Sequence, residues 1–298
     1  YWMALLRDVP FNSYSTDPLV AAAVADMNLL SGFVGPTPVT TQNLFRGRAT
    51  GCQTGPYLSQ FFTLDVYYGK NQVDQRQFPP LAGLDFATTW SDWLTLQNGG
   101  APPVSAQFDA TKRYQLTGRD LSEWVHVDML PEAYHLALMW LLAHNAPLNP
   151  TNPYISSANQ VGFATFGPPH FTGLLIEVGT RALHSAWHKK WRVHRRARPE
   201  VYAARVHTTL TNVTGATWPI HADVRNSDAI ARVFTRWNSY LLPQAFPEGS
   251  PSHPSYAAGH STVAGACVTI LKSFFDANYV LPAWTTRIIN EDGSATVD

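Results

Sequence analysis

Two separate segments of the chain carry residue types that could hold an anion. In the first, Trp187–Arg198, six of the 21 Lys and Arg residues fall between Lys189 and Arg198. One interpretation is a solvated helix end, because cations are favoured at a helix C-terminus and Pro199 would stop the helix. The two tryptophans of the run favour another interpretation, in which they pack into a core and hold some of the cations near it. A cation near a core requires an anion.

The second segment is Pro247–His260, which leads into a predicted helix. Its small residues Ala257, Ala258 and Gly259 allow the backbone to approach a ligand closely. The N-terminus of a helix offers unpaired N–H groups and a partial positive charge, and together these form an anion site. His260 stands at this point with an imidazole that can donate or accept a proton. With the basic run, the segment predicts an oxyanion held by Lys and Arg, with a histidine for proton transfer.

The spacing of these residues resembles that of a known family. Lys190, followed eight positions later by Arg198-Pro199, resembles the first motif of the vanadium haloperoxidases and of the related acid phosphatases of the type 2 phosphatidic-acid phosphatase superfamily. The segment Pro247–His260 resembles their second motif, usually Pro-Ser-Gly-His. Trp187–Glu200 and Pro247–Tyr256 look specifically like algal bromoperoxidases, as do the earlier segments 7–11 and 45–57.

The resemblance implies a role for each matching residue. Lys190 and Arg198 would bind vanadate oxygens, and Lys190 would also polarise bound peroxide. Gly259 would donate its backbone N–H, and His260 would be the acid–base group. His253 matches the extra histidine of bromoperoxidases and would join the catalytic residues. The alternative for His253 is a loop histidine that contacts solvent or backbone.

The chain departs from the family pattern in two places. Ala258 replaces the usual serine, so one hydroxyl donor to vanadate is missing, which implies weaker cofactor binding. No histidine follows His260, although the family has a third motif with an arginine and the histidine that bonds vanadium. We therefore expect no direct metal ligand in this chain and an axial histidine beyond residue 298.

The implied function is vanadate-dependent oxidation of bromide or iodide by hydrogen peroxide to hypohalous acid, which then halogenates small organic nucleophiles. Because iodide is the easier halide to oxidise, loss of the serine hydroxyl predicts better turnover of iodide than of bromide. One alternative is an acid phosphatase acting on phosphomonoesters at the same site, since phosphate and vanadate share their geometry. Another is a non-catalytic oxyanion-binding or structural subunit.

The elements that must position these residues are mostly helical. Apolar residues at a period of 3.6 predict an all-α helical bundle, and the resemblance implies two four-helix bundles in the full-length family. Helices are predicted over 18–30, capped by Asp17, and over 131–145, 173–195, 223–242 and 259–279; residues 61–68 are ambiguous. We expect an N-terminal helical part, 1–150, and a part carrying the oxyanion motifs, 151–298, within one continuous domain.

Composition limits the partners. The 298 residues carry no net charge, which gives no reason to expect nucleic acid, and no apolar run reaches the length of a membrane span. Only 14% of residues are charged and ten are tryptophan, which favours a buried subunit interface. The resemblance to the algal enzymes, which are oligomeric, implies a homo-oligomer. The family resemblance adds an extracellular or cell-wall location. Cys52 and Cys267 could pair, or Cys267 could be a small buried residue of a helix.

Overall fold

Helices form nearly all of the regular structure. The computed structural model describes residues 1–49, 52–290 and 292–297, with only the backbone of Trp284; Thr50 and Gly51 of the 45–57 segment lie outside the described residues. The helices are α1 Trp2–Leu5, α2 Pro18–Met27, α3 Trp90–Gln97, α4 Gly118–His126, α5 Glu132–Ala143, α6 Pro168–His188, α7 Pro199–Thr211, α8 Ala222–Arg225, α9 Asp228–Trp237 and α10 Gly259–Phe274. There are also two antiparallel hairpins, β1 Val66–Tyr68 with β2 Asn71–Val73, and β3 Arg287–Ile289 with β4 Ala295–Val297. Three short 3₁₀ helices, Phe11–Ser13, Gln60–Phe62 and Ala283–Thr285, and a π-helix, Lys189–His194, complete the described elements. The all-α prediction is confirmed.

Short polar side chains begin several of the helices. The Asp17 carboxylate accepts the backbone N–H groups of Leu19 and Val20 at 2.8 and 3.0 Å, so the predicted cap of α2 is confirmed. Thr117 and Asp120 form a reciprocal capping box at the start of α4, a helix that the sequence analysis did not predict. These caps satisfy first-turn N–H groups that would otherwise lack partners.

Four predicted helices have bounds that are wrong by three residues or more, and the first of them, predicted over 18–30, already ends at Met27. Helix α6 begins at Pro168 instead of residue 173, because proline suits the first turn of a helix, and its α-helical part ends at His188. The single helix predicted over 223–242 is two helices, because Ser227 caps a new helix and Asn238 ends it with a φ of 52°. Helix α10 ends at Phe274, because the next residue is extended.

Pro199 does not act as the predicted helix stop. The helical run that contains Lys190 already ends at His194, where Arg195 adopts a left-handed conformation with a φ of 44°. Pro199 is instead the first residue of α7, where its missing N–H costs nothing. The basic run therefore forms a corner between two helices.

Helices α5, α6 and α10 enclose the core beneath the two motifs. Leu175 of α6 is fully buried with Val263 and Cys267 of α10. A Cβ atom on Gly179 would already stand in van der Waals contact with Cys267 and Val263, which shows how closely α6 and α10 approach. Cys52 is exposed and Cys267 is buried, and both are free, so they do not pair.

A second core packs the N-terminus against the C-terminal half. Residues of α1 and α2 share one buried cluster with Ala229 and Val233 of α9. Buried Arg119 of α4 is ion-paired with Asp8 and with Asp85, and Asp85 also pairs with Arg236 of α9. Contacts therefore cross residue 150, and the two-part division at that residue stays a prediction.

Candidate functional site

Lys190 lies inside the protein although its neighbours in the basic run are at the surface. The segment Lys189–His194 is a π-helix, in which the backbone N–H of Arg195 donates to the Lys190 carbonyl, five residues earlier, at 2.9 Å. Lys190 is only 2% exposed, whereas Trp187 and Trp191 are 42% and 45% exposed. The prediction that the tryptophans pack into the core was therefore wrong: this turn buries the lysine and leaves the rings outside.

The Lys190 ammonium joins the first segment to the second. Its Nζ donates to the Pro254 carbonyl at 2.7 Å and contacts the Ser255 carbonyl at 3.4 Å. Among the described residues, no carboxylate pairs with it. Burial lowers the pKa of Lys190, and the nearby Arg198 guanidinium lowers it further. This cation is desolvated and its charge is not balanced by a neighbouring acid.

Further hydrogen bonds hold the two segments side by side. Ser255 donates its backbone N–H to the Arg196 carbonyl at 3.0 Å and its hydroxyl to the Ala197 carbonyl at 2.9 Å. Arg198 Nη1 donates to the His253 carbonyl at 3.4 Å. Residues that are more than fifty positions apart in sequence thus form one continuous surface.

Arg198 forms an ion pair with a buried carboxylate, and this pair uses only some of its N–H donors. Its Nε donates to Glu200 Oε1 at 3.0 Å, and the Glu200 side chain is almost fully buried. Arg198 stands at the N-cap position of α7, and Glu200 lies in the first turn. Because a guanidinium has five N–H donors, the ion pair fixes the plane of the group and leaves donors for an oxyanion.

The N-terminus of α10 lacks a side-chain cap. Ala258 occupies the N-cap position with φ −70° and ψ 126° and gives no side-chain hydrogen bond to the first turn. Gly259 is the first helical residue, so its N–H has no carbonyl partner within the helix. A Cβ on Gly259 would make only an ordinary 3.5 Å contact with Leu183, so packing alone does not require glycine here.

His260 is held by a carboxylate that the sequence analysis missed. His260 Nε2 lies 3.0 Å from Asp128 Oδ2, and the Asp128 side chain is largely buried while the imidazole is half exposed. Asp128 follows the end of α4, 132 residues before His260, and nothing in its local sequence distinguishes it. This carboxylate restricts the orientation of the imidazole.

His253 touches both an aromatic ring and the backbone. Its ring lies 4.8 Å from the Trp187 ring in an edge-on arrangement, and its Nδ1 is 3.1 Å from the Pro254 carbonyl oxygen. These contacts place His253 beside the Lys190 anchor. They agree with the backbone-contacting alternative as well as with a catalytic role, so the catalytic assignment of His253 stays a prediction.

His126, the last residue of α4, contacts the same loop further upstream. His126 Nε2 lies 2.6 Å from Glu248 Oε1, and its ring stacks on Phe246 with centroids 3.9 Å apart. His126 and Asp128 are two positions apart, so one turn of chain contacts both ends of the 248–260 segment. Neither contact was predicted.

The donors gathered here suit an oxyanion. Three groups offer positive charge or hydrogen-bond donors: a buried ammonium that pairs with no acid among the described residues, a guanidinium with spare N–H groups, and an uncapped helix N-terminus. Within the part of the chain that the structure describes, no three His, Cys, Asp or Glu side chains cluster as ligands of a bare metal ion. Among the same residues, no helix is long and apolar enough to cross a membrane.

Comparisons with known proteins agree with these motifs. Residues 176–297 match the model of the second helical-bundle domain of VCPO. The chain is 35% identical to a vanadium-dependent bromoperoxidase of Ascophyllum nodosum over 294 residues, which cover 92% of the chain and 52% of that protein. It is 33% identical to one of Corallina officinalis, with 94% of the chain and 57% of that protein covered. The chain thus spans about half the length of the curated relatives it matches.

The fold is also similar to that of a solved structure. The homohexameric second vanadate-dependent bromoperoxidase of Ascophyllum nodosum superposes on the chain with a TM-score of 0.82 and 29% sequence identity. The match covers 100% of this chain and 56% of that one. The helical-bundle architecture is therefore shared along the whole chain.

Proposed function

The chain is a relative of the vanadium-dependent haloperoxidases of the algal bromoperoxidase type, and on this basis we propose that it serves the vanadate-dependent oxidation of bromide or iodide by hydrogen peroxide to hypohalous acid. The buried Lys190 ammonium carries the proposal, because it pairs with no acid in the described part of the chain and is fixed against the second motif. When bound, vanadate supplies the Lewis acid that activates hydrogen peroxide toward halide. Hypohalous acid then halogenates small organic nucleophiles.

Each residue of the site has a proposed task. Lys190 and Arg198 hold the oxyanion, with the planar fork of Arg198 oriented by Glu200. The backbone N–H of Gly259 adds a neutral donor at the start of α10. Lys190 and Arg198 are held by hydrogen bonds to the protein before an anion enters, so their charge is already in place.

Proton transfer is assigned to the imidazole of His260. Asp128 accepts a hydrogen bond from Nε2 when this nitrogen carries a proton, and so keeps the ring at one end of the site. A histidine is suited to this role because it exchanges protons near neutral pH. His253, beside Trp187, is the second histidine that we assign to the catalytic residues.

Halide preference follows from Ala258. With an alanine at the N-cap of α10, the hydroxyl donor of the usual motif is missing, and the oxyanion is bound by fewer hydrogen bonds. We expect the more easily oxidised iodide to be turned over faster than bromide. Parallel halogenation assays with an organic trap test this point, and faster bromide turnover would contradict it.

The central experiment compares vanadate dependence in two matched variants. The protein is incubated with orthovanadate, and oxidation of bromide and iodide by hydrogen peroxide is followed, with hydrolysis of a phosphomonoester in parallel. We expect halide oxidation that requires vanadate and is lost in Lys190→Met but kept in Lys189→Met. Ester hydrolysis without halide oxidation would identify a phosphatase, and anion binding without either reaction would identify a non-catalytic oxyanion-binding subunit.

We also propose that the protein forms a homo-oligomer. Support comes from the homohexameric relative, from the low share of charged residues and from exposed apolar side chains such as Val127 and Met129. Light scattering after size exclusion measures the mass directly. A monomer at micromolar concentration would contradict this part of the proposal.

A further inference from the structure

A cavity of about 340 Å³ opens between α3, α7 and the loop that follows α7. Its walls include three of the ten tryptophans, Trp90, Trp93 and Trp218, and the aliphatic and threonine side chains of α7. Arg205 is the single charged residue among the described residues that line it. The cavity shares no lining residue with the oxyanion site.

One aromatic wall is fixed in place before any ligand enters. Trp93 stacks on Trp90 with centroids 5.1 Å apart, and Trp90 stacks in turn on His207 at 5.8 Å, both pairs at an interplanar angle of 17°. His207 is buried, and its Nδ1 accepts the backbone N–H of Tyr240 at 3.2 Å. The stack is therefore anchored in the interior, so little side-chain entropy is lost on binding.

Trp218 contributes a second indole from the loop. Its backbone N–H donates to the Thr209 hydroxyl at 2.9 Å, which ties the loop to α7. The Arg205 guanidinium lies 4.6 Å from the centroid of the Trp218 ring. This cation–π contact places a positive charge beside the apolar walls.

The charge on Arg205 lacks a polar partner. Within the described part of the chain, Arg205 makes neither an ion pair nor a side-chain hydrogen bond. Two other arginines that lie over tryptophan rings are neutralised: Arg232 pairs with Asp228, and Arg236 pairs with Asp85. The Trp93 Nε1–H is also buried without an acceptor among the described residues. Lack of an acceptor is costly for the buried Trp93 donor, whereas Arg205 is only partly buried and keeps its donors available to a ligand that enters the cavity.

We propose that this cavity binds an aromatic carboxylate. The flat ring would stack among the indoles, and the carboxylate would accept hydrogen bonds from the Arg205 guanidinium, whose donor fork matches its two oxygens. A neutral aromatic compound leaves the arginine charge unpaired, and an aromatic amine is repelled by it. The single cation also favours a singly charged anion. This binding site is independent of the proposed halide oxidation.

The test uses 2-naphthoate as the probe and its uncharged amide as the matched ligand. Calorimetry is expected to show binding of 2-naphthoate and at least tenfold weaker binding of the amide, since a hydrogen bond to a charged group is worth a factor of about ten or more. Arg205→Gln should weaken naphthoate binding by about tenfold or more and leave amide binding unchanged. Arg232→Gln, at a stacked arginine outside the cavity, should leave both affinities unchanged. Trp218→Leu should weaken the binding of both ligands.

Several results would overturn the proposal. These are the absence of naphthoate binding, equal affinity for the two ligands, and an Arg205→Gln variant that binds naphthoate as the wild type does. Competition by vanadate, or loss of naphthoate binding in Lys190→Met, would place the probe in the oxyanion site and would equally refute it. Circular dichroism and thermal unfolding of each variant separate loss of binding from loss of the fold. Because no halide or peroxide is present, a negative result here leaves the proposed function untouched.

Discussion

Replacing Lys190 with methionine removes the buried ammonium while keeping an unbranched side chain of similar length. A hydrogen bond to a charged group contributes about 1.5–3 kcal/mol, which corresponds to oxyanion binding weakened by about 10- to 150-fold. The same change leaves the Pro254 carbonyl without its donor at 2.7 Å, and this costs about 1–3 kcal/mol of folding stability. Both quantities should be measured, anion affinity by calorimetry and stability by urea unfolding.

The pH dependence of oxyanion binding distinguishes the contribution of the Lys190 charge from that of the packing of its side chain. The pKa of Lys190 lies below its ordinary value of 10.5, mainly because the side chain is buried. The folded protein therefore loses this charge at a lower pH than an exposed lysine does, and oxyanion affinity should fall as pH rises through the lowered pKa. Lys190→Arg keeps its charge throughout that range. With sulfate as a probe of constant charge, the ratio of the affinity of Lys190→Arg to that of the wild type should rise with alkaline pH.

The matched control is Lys189, which is the preceding residue and is exposed. Lys189→Met removes the same formal charge from the same run, but at a solvated position where it contributes little. Equal loss of affinity in the two methionine variants would mean that only the overall charge of the basic run matters. A ratio that stays flat with pH would show that the lowered pKa of Lys190 plays no part in binding.

Three further perturbations have expected outcomes. Ala258→Ser should raise the free energy of unfolding by about 1 kcal/mol by capping α10, and should tighten vanadate binding about tenfold or more; a gain in neither quantity would contradict the site. A thiol reagent should titrate Cys52 at once and Cys267 only after unfolding, because burial raises the pKa of the Cys267 thiol to about 11; two fast thiols would be inconsistent with this packing. Burial holds the pKa values of His135 and His207 below 6.5, so the unfolded chain takes up protons first and the free energy of unfolding should fall as pH drops below about 6.5. Urea unfolding at pH 5 and 7.5 measures this fall, which His135→Phe should reduce; an unchanged fall in that variant would exclude His135 as a source.

The sequence predicts those features that local chemistry determines. The cap at Asp17 follows from a short acidic side chain before Pro18. Likewise, the burial of Cys267 follows from the apolar stripe of its helix. For such features the interacting groups lie within a few residues of each other, so the pattern is visible in a short window.

Other features depend on contacts between distant parts of the chain. The pairing of His260 with Asp128 spans 132 residues. Nothing in the sequence around an aspartate that follows a helix indicates which distant residue it will contact. The π-helical turn that buries Lys190 and exposes Trp191 shifts the side chains from the positions that an α-helical period assigns to them. Periodicity therefore located the basic run but assigned the wrong side chains to the interior.

Helix α4 and the residues directly after it connect the N-terminus of the protein to the 248–260 loop. His126 lies within hydrogen-bonding distance of Glu248, and Asp128 of His260. One short segment therefore contacts both ends of the loop. At the start of the same helix, Arg119 forms an ion pair with Asp8 near the N-terminus. Asp8 is therefore linked through α4 to the residues that contact the loop at Glu248 and at His260. A residue near the N-terminus is thus connected, through one ion pair and one short helix, to a site that lies more than a hundred positions away in sequence.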